Sequence, residues 1–245
     1  MQLKRTADRK TANLANVKGS APLIKNAFSL PSGKAFSCPG ATGVCETVCY
    51  AGKLERQYPG VRNLVLHNWE LLSKATLGEM IELLSHMIGD FVSECEKKNA
   101  PKVFRWHADG DIFSSNYAFA IAETCKAYPD VQFWIYTRSF GFVCYLENVP
   151  NLSVYLSVDR ENREAALGTK DIYPFVRLAY LSDSFESGKE FMMEETGKPG
   201  AICPENAKRI PLITEKGGAC LSCGLCVYGK VDVRFSSKVP KRRKG

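Results

Sequence analysis

The sequence predicts an α/β fold, a partial (β/α) barrel or open sheet of about six mostly parallel strands, followed by a cysteine-rich C-terminal extension. Three observations carry this. Short apolar runs rich in β-branched and aromatic residues alternate with longer stretches whose apolar residues recur every three or four positions. The strand-like runs number about six, too few for a complete eight-stranded barrel. Cysteines crowd into two short segments, "FSCPGATGVCETVCYAG" near the start and "GACLSCGLCVYG" near the end.

Taken in order, "NAFSL" reads as a first strand leading into the first cysteine loop. "VRNLVLHNWELLSKA" and "EMIELLSHMIGDFVSECEKK" have the spacing of amphipathic helices. "KVFRWH" is a strand, "NYAFAIAETCKAY" a helix and "VQFWIYT" a strand. "LSVYLSV" and "FVRLAYL" are further strands, with "RENREAALG" as a short helix between them. "GKEFMMEETG" is a helix with Gly197 as its C-cap, and "AICPE" closes the series. Strand–helix alternation implies crossover connections and a parallel sheet buried on both faces. In such folds the functional site gathers at the C-terminal ends of the strands, which selects the polar residues that matter.

With 245 residues, 45% hydrophobic and 24% charged, the chain can bury a core without disulfide staples. No stretch approaches a membrane span, and the polar start "MQLKRTADRKTANLANVKG" has no signal-type apolar region, so a reducing cytoplasm and no membrane partner are expected. The net charge of +7 is concentrated at the ends. Lys4, Arg5, Arg9, Lys10, Lys18 and Lys25 face only Asp8, and the tail "SKVPKRRKG" is basic. Such arms suit a polyanion, a nucleotide or nucleic acid, or serve as solvated ends. The expected organisation is a basic arm over 1–25, the α/β unit with its cysteine loop over 26–200, the cluster-binding extension over 201–237 and a basic tail over 238–245.

Of the ten cysteines, Cys95, Cys125 and Cys144 read as small buried hydrophobes. Cys220, Cys223 and Cys226 form C-x2-C-x2-C, with Cys203-Pro204 upstream. This run resembles the first three ligands of a ferredoxin loop and favours a four-thiolate [4Fe–4S] cluster, with a zinc site as the alternative. The first group, Cys38, Cys45 and Cys49, has three members. A cubane on three thiolates leaves one iron without a protein ligand, and a small molecule bearing an amine and a carboxylate can chelate it. The alternative is zinc completed by His67 or His107.

Three cysteines in a loop after a first strand, with the aromatic Tyr50 adjoining the last, resemble the radical S-adenosylmethionine (SAM) enzymes, although their usual spacing is C-x3-C-x2-C and this chain has C-x6-C-x3-C. The resemblance implies that the open iron binds SAM and that an electron donor drives its cleavage to a 5′-deoxyadenosyl radical. It also places Asp109, Gly110 and Asp111, in "ADGDIF", where that superfamily holds the methionyl ammonium of SAM. Ser157 and Asp159, at the end of the fourth strand, then correspond to contacts with the ribose or carboxylate. The runs "CYAGK", "RWHADGD" and "YTRS" are also similar to a phage-encoded group, the gene product 88 family.

Two further strand-end residues are candidates for catalysis. His107 can donate a proton or orient substrate, and Arg138 can pair with a carboxylate or phosphate. Ser114–Ser115 doubles as a helix cap after the Asp109–Asp111 turn. Two other functions fit the same residues: a metal-stabilised nucleic-acid-binding protein without catalysis, and a cluster enzyme using its open iron as a Lewis acid without SAM.

Overall fold

The computed structural model describes residues 1–11, 24–214 and 217–238. Most of the second half of the basic arm and all of the basic tail beyond Lys238 lie outside these residues. Among the described residues, seven strands form one parallel sheet. They are β1 (Ala27–Ser29), β2 (Val103–Asp109), β3 (Gln132–Thr137), β4 (Leu152–Val158), β5 (Arg177–Ser182), β6 (Ala201–Ile202) and β9 (Val233–Ser236). A separate two-stranded pair joins β7 (Ile213–Thr214) to β8 (Gly217–Gly218).

The sheet order is β1-β2-β3-β4-β5-β9-β6. Strands β1 to β5 are laid down side by side in chain order. With right-handed crossovers this places every connecting helix on the same face. The sheet keeps two edges and does not close into a barrel. The expectation of about six strands falls one short because β9, from "VDVRFSS", enters between β5 and β6. Residues 201–237 therefore contribute two strands to the main sheet besides carrying the second cysteine run.

Period-two alternation separates the two faces. Phe104 and Trp106, Phe133 and Ile135, and Val154, Leu156 and Val158 face the main core. Helices α4 (Leu77–Lys97), α5 (Ser115–Ala127) and α7 (Phe185–Thr196) pack there through Leu84, Ile88 and Phe91, Ile121, and Met192. Phe104 lies between Phe91 and Trp106 in edge-to-face contacts, with centroids 5.0 and 5.3 Å apart. Among the described residues the opposite face carries only short helices and loops. Val103, Trp134, Tyr155, Ala179 and Val233 meet the C-terminal cysteine loop instead.

The helices end where their capping residues dictate. Thr76 and Glu79 form a capping box on α4, and the Ser114 side chain accepts from Tyr117 N at 3.2 Å to start α5. Gly197 ends α7 with φ 67°, as expected. The remaining expected helices are α3 (Pro59–Leu72) and α6 (Arg163–Ile172). Cys95 and Cys125 are buried, and Cys125 accepts from Trp106 Nε1 at 3.3 Å. Cys144 departs from expectation. It is exposed on a short 3-10 helix, Phe140–Leu146, whose neighbours Val143 and Leu146 take the inward positions.

Candidate functional site: a cavity walled by two cysteine groups

The segment read as a first cysteine loop is largely helical. Thr42 caps α1 (Gly43–Val48), its Oγ1 accepting from Cys45 N at 3.0 Å. Cys49 ends α1 and starts α2 (Tyr50–Gln57), and its sulfur accepts from Gly52 N at 3.4 Å. The short span between Thr42 and Gln57 hides both helices, since neither is long enough to show a periodic apolar stripe.

Cys38, Cys45 and Cys49 open onto a cavity of about 560 Å³ over the face of the sheet opposite the main helical core. Cys203, Cys220, Cys223 and Cys226 line the same cavity. Cys220 and Cys223 lie on α8 (Ala219–Cys223), which ends at Gly224 in the left-handed region, and the chain turns there to bring Cys226 beneath it. Two sequence runs some 150 residues apart thus face one space. All ten cysteines are free thiols.

Within each group the sulfurs lie close enough to perturb one another. Burial pushes the Cys38 thiol up to about 12, and the Cys45 charge adds to this. Burial also raises Cys45, opposed by Arg138 and reinforced by Cys49. Cys226 is pushed up to about 12 by burial, with Cys203 and Cys223 reinforcing, and Cys220, also up to about 12, feels Cys226. Protein donors point at the sulfurs: Asn206 N at Cys203 (3.5 Å) and the Tyr136 hydroxyl at Cys226. Among the described residues, no three His, Cys, Asp or Glu side chains are gathered tightly enough to hold a single metal ion. The donor set, seven thiols with an N–H and an O–H group aimed at two of the sulfurs, is one that either zinc or an iron–sulfur cluster could use.

The other candidates divide. Tyr50, His107, Asp109, Gly110, Asp111, Arg138 and Ser157 line the cavity with the cysteines. Tyr50 is half-exposed at the mouth, but its hydroxyl reaches in to donate to Ala108 O at 2.5 Å. His107 sits in β2 with φ 55°, beside the register irregularity between β1 and β2. Its Nε2 meets the Tyr117 hydroxyl at 2.9 Å, and its buried Nδ1 has no protein partner among the described residues. Burial, then the Arg105 charge, lowers its pKa to about 3, so the ring is neutral and suited to orienting rather than proton donation. Asp111 is buried, and accepts from Ile112 N (2.7 Å) and Arg138 N (2.8 Å). Asp159 does not line the cavity. It is fully buried and accepts from Thr42 Oγ1 and Arg138 Nη1, both at 2.6 Å, and from Glu161 N at 2.9 Å. His67 is engaged with the Gln2 carbonyl at 2.9 Å.

Gly110 has φ 86°, and a Cβ there would stand 2.5 Å from Ser37 Oγ and 2.7 Å from Leu30 Cβ. Gly110→Ala is expected to lower stability by about 1–3 kcal/mol in urea denaturation, since strain and a clash add.

Asp109 and Asp111 are both pushed up to about 6, chiefly by burial. A carboxyl whose folded pKa exceeds its unfolded value of 3.8 favours the fold while protonated, and that advantage disappears as pH rises from about 4 to 6. Asp109→Asn is therefore expected to gain about 2 kcal/mol relative to the parent between pH 4 and pH 7, read from urea midpoints.

Residue types alone did not single out the inner wall: Lys10, Arg105, Trp134, Tyr136 and Glu205 also line the cavity. Lys10 pairs with Glu205 at 2.8 Å, and Arg105 with Asp8 at 2.7 Å. The arginine set among the apolar residues of "VFRW" was the available signal, because alternation from Asp109 places Arg105 on the same face.

Fold and site together define an α/β protein with a singly wound, open parallel sheet whose bare face is roofed by two groups of thiols. A family model described as gene product 88 matches residues 1–229. The chain belongs to the gene product 88 family. It is 45% identical over 243 residues to the Gene 88 protein of Mycobacterium phage L5 and 46% identical over 244 residues to that of Mycobacterium phage D29, covering 96% of this chain and 98% of the relative in each case. No solved structure matches it. Among the described residues no helix is long and apolar enough to cross a membrane.

Proposed function

We propose that this protein is an iron–sulfur enzyme of the radical SAM type. Cys38, Cys45 and Cys49 would hold a [4Fe–4S] cluster with one iron open to SAM. Cys203, Cys220, Cys223 and Cys226 would hold a second, closed [4Fe–4S] cluster. The observation that carries this reading is the meeting of all seven thiols in one cavity of a size that suits a small organic ligand. When bound, such a cluster would supply one electron, drawn from an external donor, for cleavage of the sulfonium of SAM.

The chain's own residues supply the rest. Asp109, on the cavity wall, accepts from the methionyl ammonium, and Gly110 lets the backbone approach it. Asp111, tied to two backbone N–H groups, holds that turn in place. Ser157 offers a hydroxyl to the ribose, Arg138 stands by Cys45 to meet a carboxylate, and Tyr50 covers the mouth. His107 orients substrate through its free Nδ1. The compartment in this reading is the reducing host cytoplasm, which supplies an electron donor. The substrate class is a nucleotide or nucleic acid, a choice supported by the basic residues at both ends.

The test is purification without oxygen, followed by iron, sulfide and zinc counts and incubation with SAM and a reductant. About eight irons and eight sulfides per chain, with 5′-deoxyadenosine formed, is the expected result. Zinc without acid-labile sulfide would overturn the reading. Full iron with no 5′-deoxyadenosine would leave a Lewis-acid cluster enzyme in its place.

A further inference from the structure

Two buried N–H groups on the cavity wall have no protein acceptor among the described residues: Arg105 Nε and Trp134 Nε1. Native proteins leave few such donors unpaired, so each one asks for an explanation. Arg105 on β2 and Trp134 on β3 are register partners, which puts their side chains next to each other on the bare face of the sheet. Asp8 holds the guanidinium through Nη1 at 2.7 Å, and the guanidinium lies over the Tyr136 ring, 5.5 Å from its centroid.

What lies above these donors is the C-terminal cysteine run. Trp134 packs with Val103 and Val227 against Cys220, Leu221 and Cys226. The Tyr136 hydroxyl already bonds the Cys226 sulfur. Three donors from two neighbouring strands therefore lie on the face of the sheet that this cysteine run covers. Trp134 is almost wholly buried beneath this loop, which favours sulfur as its acceptor over a carboxylate or phosphate entering from the mouth.

We infer that Arg105 and Trp134 donate hydrogen bonds to the sulfurs of the centre held by Cys203, Cys220, Cys223 and Cys226, and raise its reduction potential. This rests on the cluster reading above. Sulfur gains negative charge when such a centre is reduced, so N–H donors and a fixed cation stabilise the reduced form more than the oxidised one. The C-terminal centre is then a redox-active group tuned by the sheet, and not only a staple for the chain end.

The experiment is an EPR-monitored redox titration of the full-length protein prepared without oxygen. The signal that does not respond to added SAM reports the C-terminal centre. In Trp134→Phe, which keeps the packing and removes the donor, the midpoint of that signal is expected to fall by about 59 mV, the equivalent of a tenfold change in a one-electron equilibrium. Arg105→Lys, which keeps a charge but removes Nε, is expected to lower it as well, with iron content unchanged. A full iron complement with an unmoved midpoint in Trp134→Phe would overturn the inference and leave the cluster reading standing. A parent protein with iron at the N-terminal site alone would overturn the inference and the assignment of the second centre together.

Discussion

Cys45→Ala is expected to reduce SAM cleavage by more than about 100-fold and to lower the iron content from about eight to about four per chain. Losing even an outer-shell partner of a metal site typically weakens it 10- to 100-fold, and a direct ligand counts for more. Cys45 lies within α1, where Ala is the best helix former, and the Thr42 cap bonds its backbone and not its sulfur. The fold should therefore survive, with an unchanged far-ultraviolet circular dichroism spectrum. The variant leaves two thiols, Cys38 and Cys49, which cannot retain a cubane. Cys95→Ala is the control, because that thiol is buried in the helical core and should keep both iron and activity. Normal SAM cleavage by Cys45→Ala would remove Cys45 from the site.

Asp159→Ala is expected to destabilise the protein by about 3–5 kcal/mol, the range found when one partner of a buried ion pair is removed. The Asp159 side chain is 1% exposed and that of its partner Arg138 11%. One carboxylate oxygen serves both Thr42 and Arg138, so the loss strands a guanidinium and also releases the cap of the helix that carries Cys45. Urea denaturation of Asp159→Ala, Arg138→Met and the double variant measures the coupling. The double variant should recover much of the loss, since replacing both members of a buried pair by apolar groups is often close to neutral. A penalty below about 1 kcal/mol for Asp159→Ala would mean that the pair behaves as a solvated one.

Strands β2 to β5 and helices α3 to α7 were legible because each is long enough to show its period, whereas β1 and β6 were read only from short apolar runs beside cysteines. β9 was not legible. "VRFS" is short, carries an arginine and follows a glycine-rich cysteine run, so only its tertiary place between β5 and β6 reveals it. The cysteines were legible by spacing, but their meeting in one cavity was not, because that depends on the path of the chain over the sheet. Asp159 shows the limit of reasoning by position. Its place at a strand end marks it as a ligand contact, whereas the fold uses it to tie α1 to β3 and β4. Cys144 was misread from its apolar neighbours, since in a 3-10 helix adjacent residues point in different directions.

The position of β9 also bears on the order of events during synthesis. Every residue through Ser236 must leave the ribosome before Val233–Ser236 can slot between strands made earlier, and β6 has no neighbour in the sheet until it does. A chain stopped short of Val233 would carry both cysteine runs, yet would leave β6 without its place in the sheet and the cavity without the stretch of wall that Val233 and Phe235 supply.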